Sequence, residues 1–175
     1  MKWMFNSRNL LMMSGLVAFM AAPASADKMK ATLAQSISPL AAIATVAKAK
    51  DFYGKHGLDI EVKYFTSGKR SLAAVMGGGA DIATNAESPT TAAAMAKQPI
   101  AFLARINYAF VKTLVSEKSG IKSIADLAGK KIGYTVGTGG QVYTNYLLKK
   151  AGITEKDVTL VNMRPQELLP AMAAG

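Results

Sequence analysis

The sequence has no cysteine and only one histidine, His56, among its 175 residues. Without cysteine there is no disulfide framework, no thiol nucleophile and no lipid-anchoring cysteine. Neither a Cys–His pair nor a metal-spaced cluster can be built, and His56 stands before Gly57 at a predicted helix end, where a cation meets the negative end of the helix dipole. We therefore expect a protein that is not an enzyme and that holds no metal and no cofactor.

Acidic residues are also scarce, with 11 against 21 basic residues and a net charge of +10. The lysines are scattered along the chain, and no block of them is interleaved with aromatic residues as in single-strand nucleic-acid binders. A basic balance can indicate a nucleic acid, an anionic membrane or small anions as partners; we interpret the scattered lysines as a solvated surface and not as a nucleic-acid interface.

A long hydrophobic run occurs only once, at residues 10–22, and it is too short to span a bilayer, which takes about 20 residues. It follows Lys2 and Arg8 and precedes Ala24-Ser25-Ala26. This order is typical of a secretory signal peptide, so residues 1–26 are predicted to be removed after Ala26. The mature chain keeps a charge of +8, and we expect it to be a soluble protein of the bacterial periplasm.

Hydrophobic periodicity alternates between two and 3.6 residues along the rest of the chain, which favours an α/β fold with parallel strands. The strict alternation from Leu58 to Tyr64 predicts a strand near a sheet edge. Ser38-Pro39 and Ser88-Pro89 each predict a helix start, with serine as N-cap and proline at the first helical position; the first of these helices is expected to reach Gly57. The other strands are predicted at 30–35, 82–84, 100–106, 113–116, 132–136 and 158–162, and the other helices at 71–76, 123–129, 141–151 and from 165.

The stretch YTVGTGGQVYTNYLLKKAG, residues 134–152, is predicted to run from a strand through a glycine-rich turn into a helix. Such a turn exposes backbone N–H groups at a helix start, where an anion can bind. The spacing does not fit a nucleotide: Gln141 follows Gly139-Gly140 where a Walker motif needs lysine, and no third glycine completes a dinucleotide fingerprint.

Parallel α/β sheets bind ligands beyond the carboxyl ends of their strands, so four strand-to-helix junctions are candidate ligand contacts. In chain order, the first junction is residues 35–38, the second 66–68, the third 86–88 and the fourth 138–141. One helix start contributes about 0.3–1 kcal/mol to anion binding. Micromolar affinity needs about 8 kcal/mol. The junctions must therefore converge, which requires a cleft between two lobes. The predicted ligand-binding residues are Ser36, Ser67, Gly68, Glu87, Ser88, Asn107, Thr138, Gly139, Gly140 and Gln141.

Several of these residues also have simpler explanations. Ser38 and Ser88 are expected to serve first as helix caps. Glu87 would repel an anion, so its carboxylate either points to solvent or pairs with a cationic group of the ligand. These two alternatives stay open for Glu87.

Four segments resemble the substrate-binding proteins of ABC transporters: AKAKDFYGKHGLDIEVKYF (47–65), GGADIAT (78–84), IADLAGKKIGYTVGTGG (124–140) and YLLKKAGITEKDVTLVNMRPQELLPAMAAG (146–175). The most similar group binds nitrate, sulfonates such as taurine, or thiamine-pyrimidine precursors. The resemblance implies a type II periplasmic-binding-protein fold with two lobes and mostly parallel sheets, and a membrane permease as partner. It places the serine, glycine and Glu87 positions above in the cleft. It also implies lobe I at 27–115, and at 116–175 only the first part of a truncated lobe II.

The resemblance leaves alternative functions. Some relatives with this fold synthesise a thiamine pyrimidine with a cysteine-rich motif and a histidine, which the cysteine-free sequence argues against. A transcriptional effector domain would carry a helix-turn-helix in place of the export signal. A truncated fragment without function is the third alternative. A small-molecule solute, a monomeric state and no nucleic-acid partner are expected.

Overall fold

Two separate parallel sheets organise the computed structural model, which describes residues 27–175. The predicted signal peptide, residues 1–26, lies outside the described residues. In the first sheet the strand order is β2-β1-β3, and all neighbours are parallel. The second sheet pairs β4 with β5, also in parallel. This arrangement is the α/β architecture that the alternating periodicity predicted.

The first sheet and its helices form what we call the N-terminal unit. β1 lies at the centre of the sheet, and its residues Leu33 and Ala34 belong to the buried core together with Leu72 from the following helix layer. β2 is an edge strand, as its alternating pattern predicted. The elements are β1 (Met29–Ser36), α1 (Ala42–Ala49), α2 (Phe52–Lys55), β2 (Leu58–Phe65), α3 (Gly68–Met76), β3 (Ile82–Ala83) and α4 (Glu87–Met95).

The second sheet and its helices form the C-terminal unit. Leu148 of its longest helix and Leu127 of a preceding 3-10 turn supply its buried apolar residues. Gly152 ends that helix in the left-handed conformation, at φ 72°, as its C-terminal glycine predicted. The elements are β4 (Lys131–Tyr134), α5 (Gly139–Ala151), β5 (Thr159–Asn162) and α6 (Pro165–Ala174). None of the helices within residues 27–175 is long and apolar enough to cross a membrane.

The predicted strands at 100–106 and 113–116 are wrong, since residues 98–116 are irregular and pair with no strand of the described chain. Phe102 and Leu103 are 72% and 75% exposed, so this apolar run is not buried between two layers. A strand needs a partner edge as well as a suitable sequence. Here β3 is only two residues long, and its free edge offers too few hydrogen bonds to template another strand.

The helix predicted from Pro39 to Gly57 is divided. A 3-10 turn, Pro39–Ala41, leads into α1, and the chain then passes through a left-handed residue, Asp51 at φ 52°, before α2. Aspartate tolerates this conformation better than most residues because its short polar side chain can bond locally. The spacing of apolar residues does not reveal such an interruption, because only one residue adopts the left-handed conformation.

The predicted N-cap role of Ser88 is also wrong. Ala86 is the N-cap of α4, Glu87 is its first residue and Ser88 its second. The first four N–H groups of a helix have no acceptor inside the helix, so a proline fits anywhere in the first turn. Pro89 therefore marks a helix start without fixing its register.

Candidate functional site

The carboxyl ends of β1 and β3 meet at two hydroxyls. The backbone N–H of Ser36 donates to the Thr84 hydroxyl at 2.9 Å, and the two hydroxyl oxygens lie 3.3 Å apart. Both residues are buried. These contacts hold Ser36, in the first junction, against Thr84, which lies just before the third junction.

The start of α3 packs directly on the segment between β3 and α4. A Cβ atom on Gly68 would lie 3.0 Å from the Asn85 Cα and 3.2 Å from the Ala86 nitrogen. Glycine thus allows a close backbone approach that a Cβ atom would crowd. Ser67 caps α3 by accepting from the Arg70 N–H at 3.4 Å. The second and third junctions therefore lie side by side.

The glycine turn of the C-terminal unit meets the first turn of α4. A Cβ atom on Gly139 would lie 3.5 Å from the Ser88 Oγ and 3.6 Å from a Glu87 carboxylate oxygen. These two side chains belong to α4 of the N-terminal unit, so the fourth junction lies against the third. The four junctions thus form one contiguous group of loops, which we call the converging loops.

The turn before α5 is held by its own side chains. Thr138 caps α5 by accepting from the Gly140 N–H at 3.2 Å and donates to the Thr135 carbonyl at 2.8 Å. The Gln141 side-chain oxygen accepts from the Gly137 N–H at 2.7 Å. Thr138 and Gln141 therefore shape the turn whether or not they also contact a solute. Whether any of the predicted residues binds a ligand stays a prediction.

Asn107 lies at the first junction, although the strand expected before it is absent. Its side-chain amide donates to the Leu40 carbonyl, in the turn that follows β1. The irregular segment is thus attached beside the converging loops by this residue.

Sequence analysis missed Lys69 and Gln166, which cross between the units. The Lys69 ammonium donates to the Val136 carbonyl at 3.2 Å, and the Gln166 amide donates to the Thr66 carbonyl at 2.8 Å. One signal was available for Lys69: a lysine in the first turn of a helix opposes the helix dipole, so helix stability does not explain its position. Gln166 carried no comparable signal.

Asn85 was also missed, and its hydrogen bonds fix which way its amide points. The Thr90 hydroxyl donates to the Ala86 carbonyl at 2.8 Å, so its oxygen can only accept from the Asn85 amide nitrogen, 2.8 Å away. The Asn85 oxygen is then turned towards Gly68, where it is buried without a donor among the described residues. The sequence did contain one signal for Asn85, because it is a polar residue that directly follows a predicted strand.

Two charged side chains of the N-terminal unit, Lys69 and Glu87, lie beside the glycine turn that precedes α5. At the start of α6, the charge of Glu167 is compensated, because its oxygens accept from the Arg164 side chain at 2.7 Å and from the Arg164 backbone N–H at 2.8 Å. The Arg164 side chain, and then its N–H group, hold the pKa of Glu167 below its ordinary value. A cation, Lys69, and a carboxylate, Glu87, thus lie beside the turn before α5.

The histidine lies away from the converging loops. Among residues 27–175, no three His, Asp or Glu side chains are grouped to hold a metal ion. His56 lies at the end of α2, just before β2 begins at Leu58. Because β2 has eight residues, at about 3.3 Å each, His56 is some 25 Å from the carboxyl end of that strand.

Comparison with known proteins identifies the family. Residues 38–175 match the family described as NMT1/THI5 like. The chain belongs to this family. A Brucella abortus protein named "Putative binding protein" is 32% identical over 132 residues, which cover 75% of this chain and 40% of that protein. The 4-amino-5-hydroxymethyl-2-methylpyrimidine phosphate synthase of Schizosaccharomyces pombe is 26% identical over 131 residues, 74% of this chain and 37% of the enzyme.

Solved structures confirm the fold of this NMT1/THI5-like chain. The alkanesulfonate-binding protein SsuA of Xanthomonas axonopodis pv. citri, bound to MOPS, matches with a TM-score of 0.70 at 22% identity, over 86% of this chain and 53% of that one. The periplasmic aliphatic sulphonate binding protein SsuA of Escherichia coli matches with a TM-score of 0.66 at 20% identity, over 86% and 49%. The type II periplasmic-binding-protein fold predicted from the sequence is thus confirmed, and the chain spans about half the length of these proteins.

Proposed function

We propose that this protein is the solute-binding component of an ABC importer and captures a small anionic or zwitterionic solute between its two units. The solute would belong to the nitrate, sulfonate or taurine, or pyrimidine-precursor class. One observation carries the proposal: the Gly139 turn of the C-terminal unit lies against Glu87 and Ser88 of the N-terminal unit. Loops that are separate in sequence thereby supply one site.

The physical chemistry of the loops supports this class of solute. The starts of α3, α4 and α5 direct the positive ends of three helix dipoles towards the same region. Charge-assisted hydrogen bonds of roughly 1.5–3 kcal/mol each, added to these dipoles, are sufficient for micromolar binding of a small anion. Glu87 would then select among anions by favouring those that also carry an amine.

The domain division and location follow from the same proposal. Residues 27–115 would form lobe I and residues 116–175 the first part of lobe II, with the division inside the irregular stretch that links the two sheets. The sulfonate-binding relatives are periplasmic, which favours a periplasmic location here and an inner-membrane permease as the partner. The monomeric state stays a prediction.

The enzyme alternative is less well supported by the site. The Schizosaccharomyces pombe relative is a synthase by name, at 26% identity. In this chain, however, the sole histidine is placed at the amino end of β2, at the opposite end of the strand from the converging loops. We therefore favour binding over catalysis.

Calorimetry on the full-length protein tests the proposal. We expect micromolar binding of at least one solute from a panel of taurine, methanesulfonate, nitrate and a 4-aminopyrimidine. Ser88→Leu should abolish it, because the larger side chain would collide with the Gly139 turn, which already lies in contact with Ser88. Ala125→Leu, at an exposed position of the 3-10 turn Ile124–Leu127, is the control and should bind normally. Failure of the whole panel to bind would contradict the proposed function.

A further inference from the structure

Each unit places one side chain on the backbone of the other. Lys69, in the first turn of α3, donates to the Val136 carbonyl, 67 residues away, at 3.2 Å. Gln166, in the first turn of α6, donates to the Thr66 carbonyl, 100 residues away, at 2.8 Å. The two hydrogen bonds thus run in opposite directions between the same pair of units.

Both acceptors are carbonyl groups just beyond strand ends. Thr66 follows β2 and Val136 lies two residues after β4. Their positions are therefore set by the sheets and not by mobile side chains. A hydrogen bond to such a carbonyl can therefore form only when the two sheets lie close together.

Gly137 provides the space that Lys69 occupies. A Cβ atom at this position would lie 2.7 Å from the Lys69 ammonium nitrogen, and the residue has a φ of 74°, which favours glycine. Glycine therefore suits this position for two reasons: its backbone has a positive φ, and the absence of a side chain leaves room for Lys69. The exposed Lys69 side chain thus lies directly against the backbone at Gly137.

We propose that Lys69 and Gln166 form a two-point latch that holds the N-terminal and C-terminal units together through protein atoms alone. The latch fixes the position of the Gly137–Gly140 turn relative to α4. Neither hydrogen bond needs a solute, because both donors bind backbone carbonyls of the protein itself. Loss of either hydrogen bond increases the time that the two units spend apart.

Disulfide trapping tests the latch in a chain that has no cysteine of its own. The parent variant carries Ser88→Cys and Gly139→Cys, a pair that faces across the two units with a serine oxygen 3.5 Å from the Cβ position of residue 139. A disulfide needs Cβ atoms roughly 3.5–4.5 Å apart, which this geometry allows. The rate of cross-linking under mild oxidation, without any solute, measures how often the units meet.

The latch variants are Lys69→Met and Gln166→Leu, each added to the parent. We expect each to slow cross-linking by about two- to tenfold, the change that follows from losing one hydrogen bond. The control is Lys48→Met, which removes a lysine-to-carbonyl bond of 3.3 Å to Ile60 that stays inside the N-terminal unit. It should cross-link at the parental rate.

The outcomes separate clearly. Slower cross-linking in both latch variants, with the control unchanged, supports the latch even if no solute is ever found. If Lys69→Met does not fold, Gln166→Leu alone decides. Parental rates in the latch variants that fold, or a parent that does not cross-link at all, would overturn the proposal.

Discussion

The backbone N–H of Ser36 donates to the buried hydroxyl of Thr84, so a side chain completes the pairing where β1 and β3 end. The Thr84 N–H in turn donates to the Ala34 carbonyl at 2.9 Å. Two hydrogen bonds thus extend the contact beyond the two-residue strand β3. The first and third junctions of the candidate site depend on this extension.

Thr84→Val is expected to lower the free energy of unfolding by about 1–3 kcal/mol, because the buried Ser36 N–H loses its acceptor. Thr84→Ser keeps the hydroxyl and should cost less. Urea unfolding of the three proteins measures the difference. A Thr84→Val protein as stable as the parent, or one more stable than Thr84→Ser, would contradict a stabilising role of this hydrogen bond.

Gly68→Ala should destabilise the protein by about 1–3 kcal/mol, since its Cβ would press on the Asn85 backbone at 3.0 Å. Gly139→Ala is the matched comparison, because its Cβ would meet side-chain atoms at an ordinary 3.5 Å. We expect a smaller change there. Thermal unfolding of both variants checks the order, and a reversed order would refute the close approach of α3 to Asn85.

Glu87→Gln should weaken binding of an amine-bearing solute such as taurine by roughly tenfold or more, because a charge-assisted contact is lost. Nitrate and methanesulfonate carry no cation and should bind as before or more tightly. Glu155→Gln, in an exposed turn, is the control. Calorimetry that finds unchanged affinity for every solute would remove Glu87 from the site.

Stability at acid pH should depend on Asp126. The backbone N–H groups of Lys122 and Ser123, followed by the Ser123 hydroxyl, donate to its carboxylate and hold its pKa below the ordinary value of 3.8. A carboxyl group whose pKa is lowered by folding stabilises the protein above its unfolded pKa, and this stabilisation is lost as the pH falls through the lower folded value.

Asp126→Asn should therefore be less stable than the parent at neutral pH, and the difference should shrink below pH 3.8. Asp59→Asn, on the exposed edge strand β2, serves as the comparison. Chemical denaturation at neutral pH and at about pH 3 measures both. A difference that is constant with pH would show that the hydrogen bonds to Asp126 do not persist in solution.

The sequence predicted the elements whose signals are local. β1, β2, α5 and α6 lie where periodicity, caps and terminal glycines placed them, because each signal acts within a few residues. The residues at the strand-to-helix junctions were predicted for the same reason. The register of α4 was missed, since Pro89 suits any position in a first turn.

Other features were beyond local signals. The apolar run at 100–106 has the composition of a strand, but a strand exists only where another edge accepts its hydrogen bonds. The unpaired oxygen of Asn85 follows from its amide orientation, which the Thr90 hydroxyl sets. Neither can be deduced without knowing which segments are neighbours.

By itself, then, the sequence determined the α/β alternation and the chemical character of the loops, because backbone periodicity and turn chemistry are properties of short segments. Only the tertiary structure decided that Lys69 reaches Val136 and that Glu87 and Ser88 face Gly139. Those contacts join residues that are more than 50 positions apart, and their distances depend on how two independently formed sheets pack against each other.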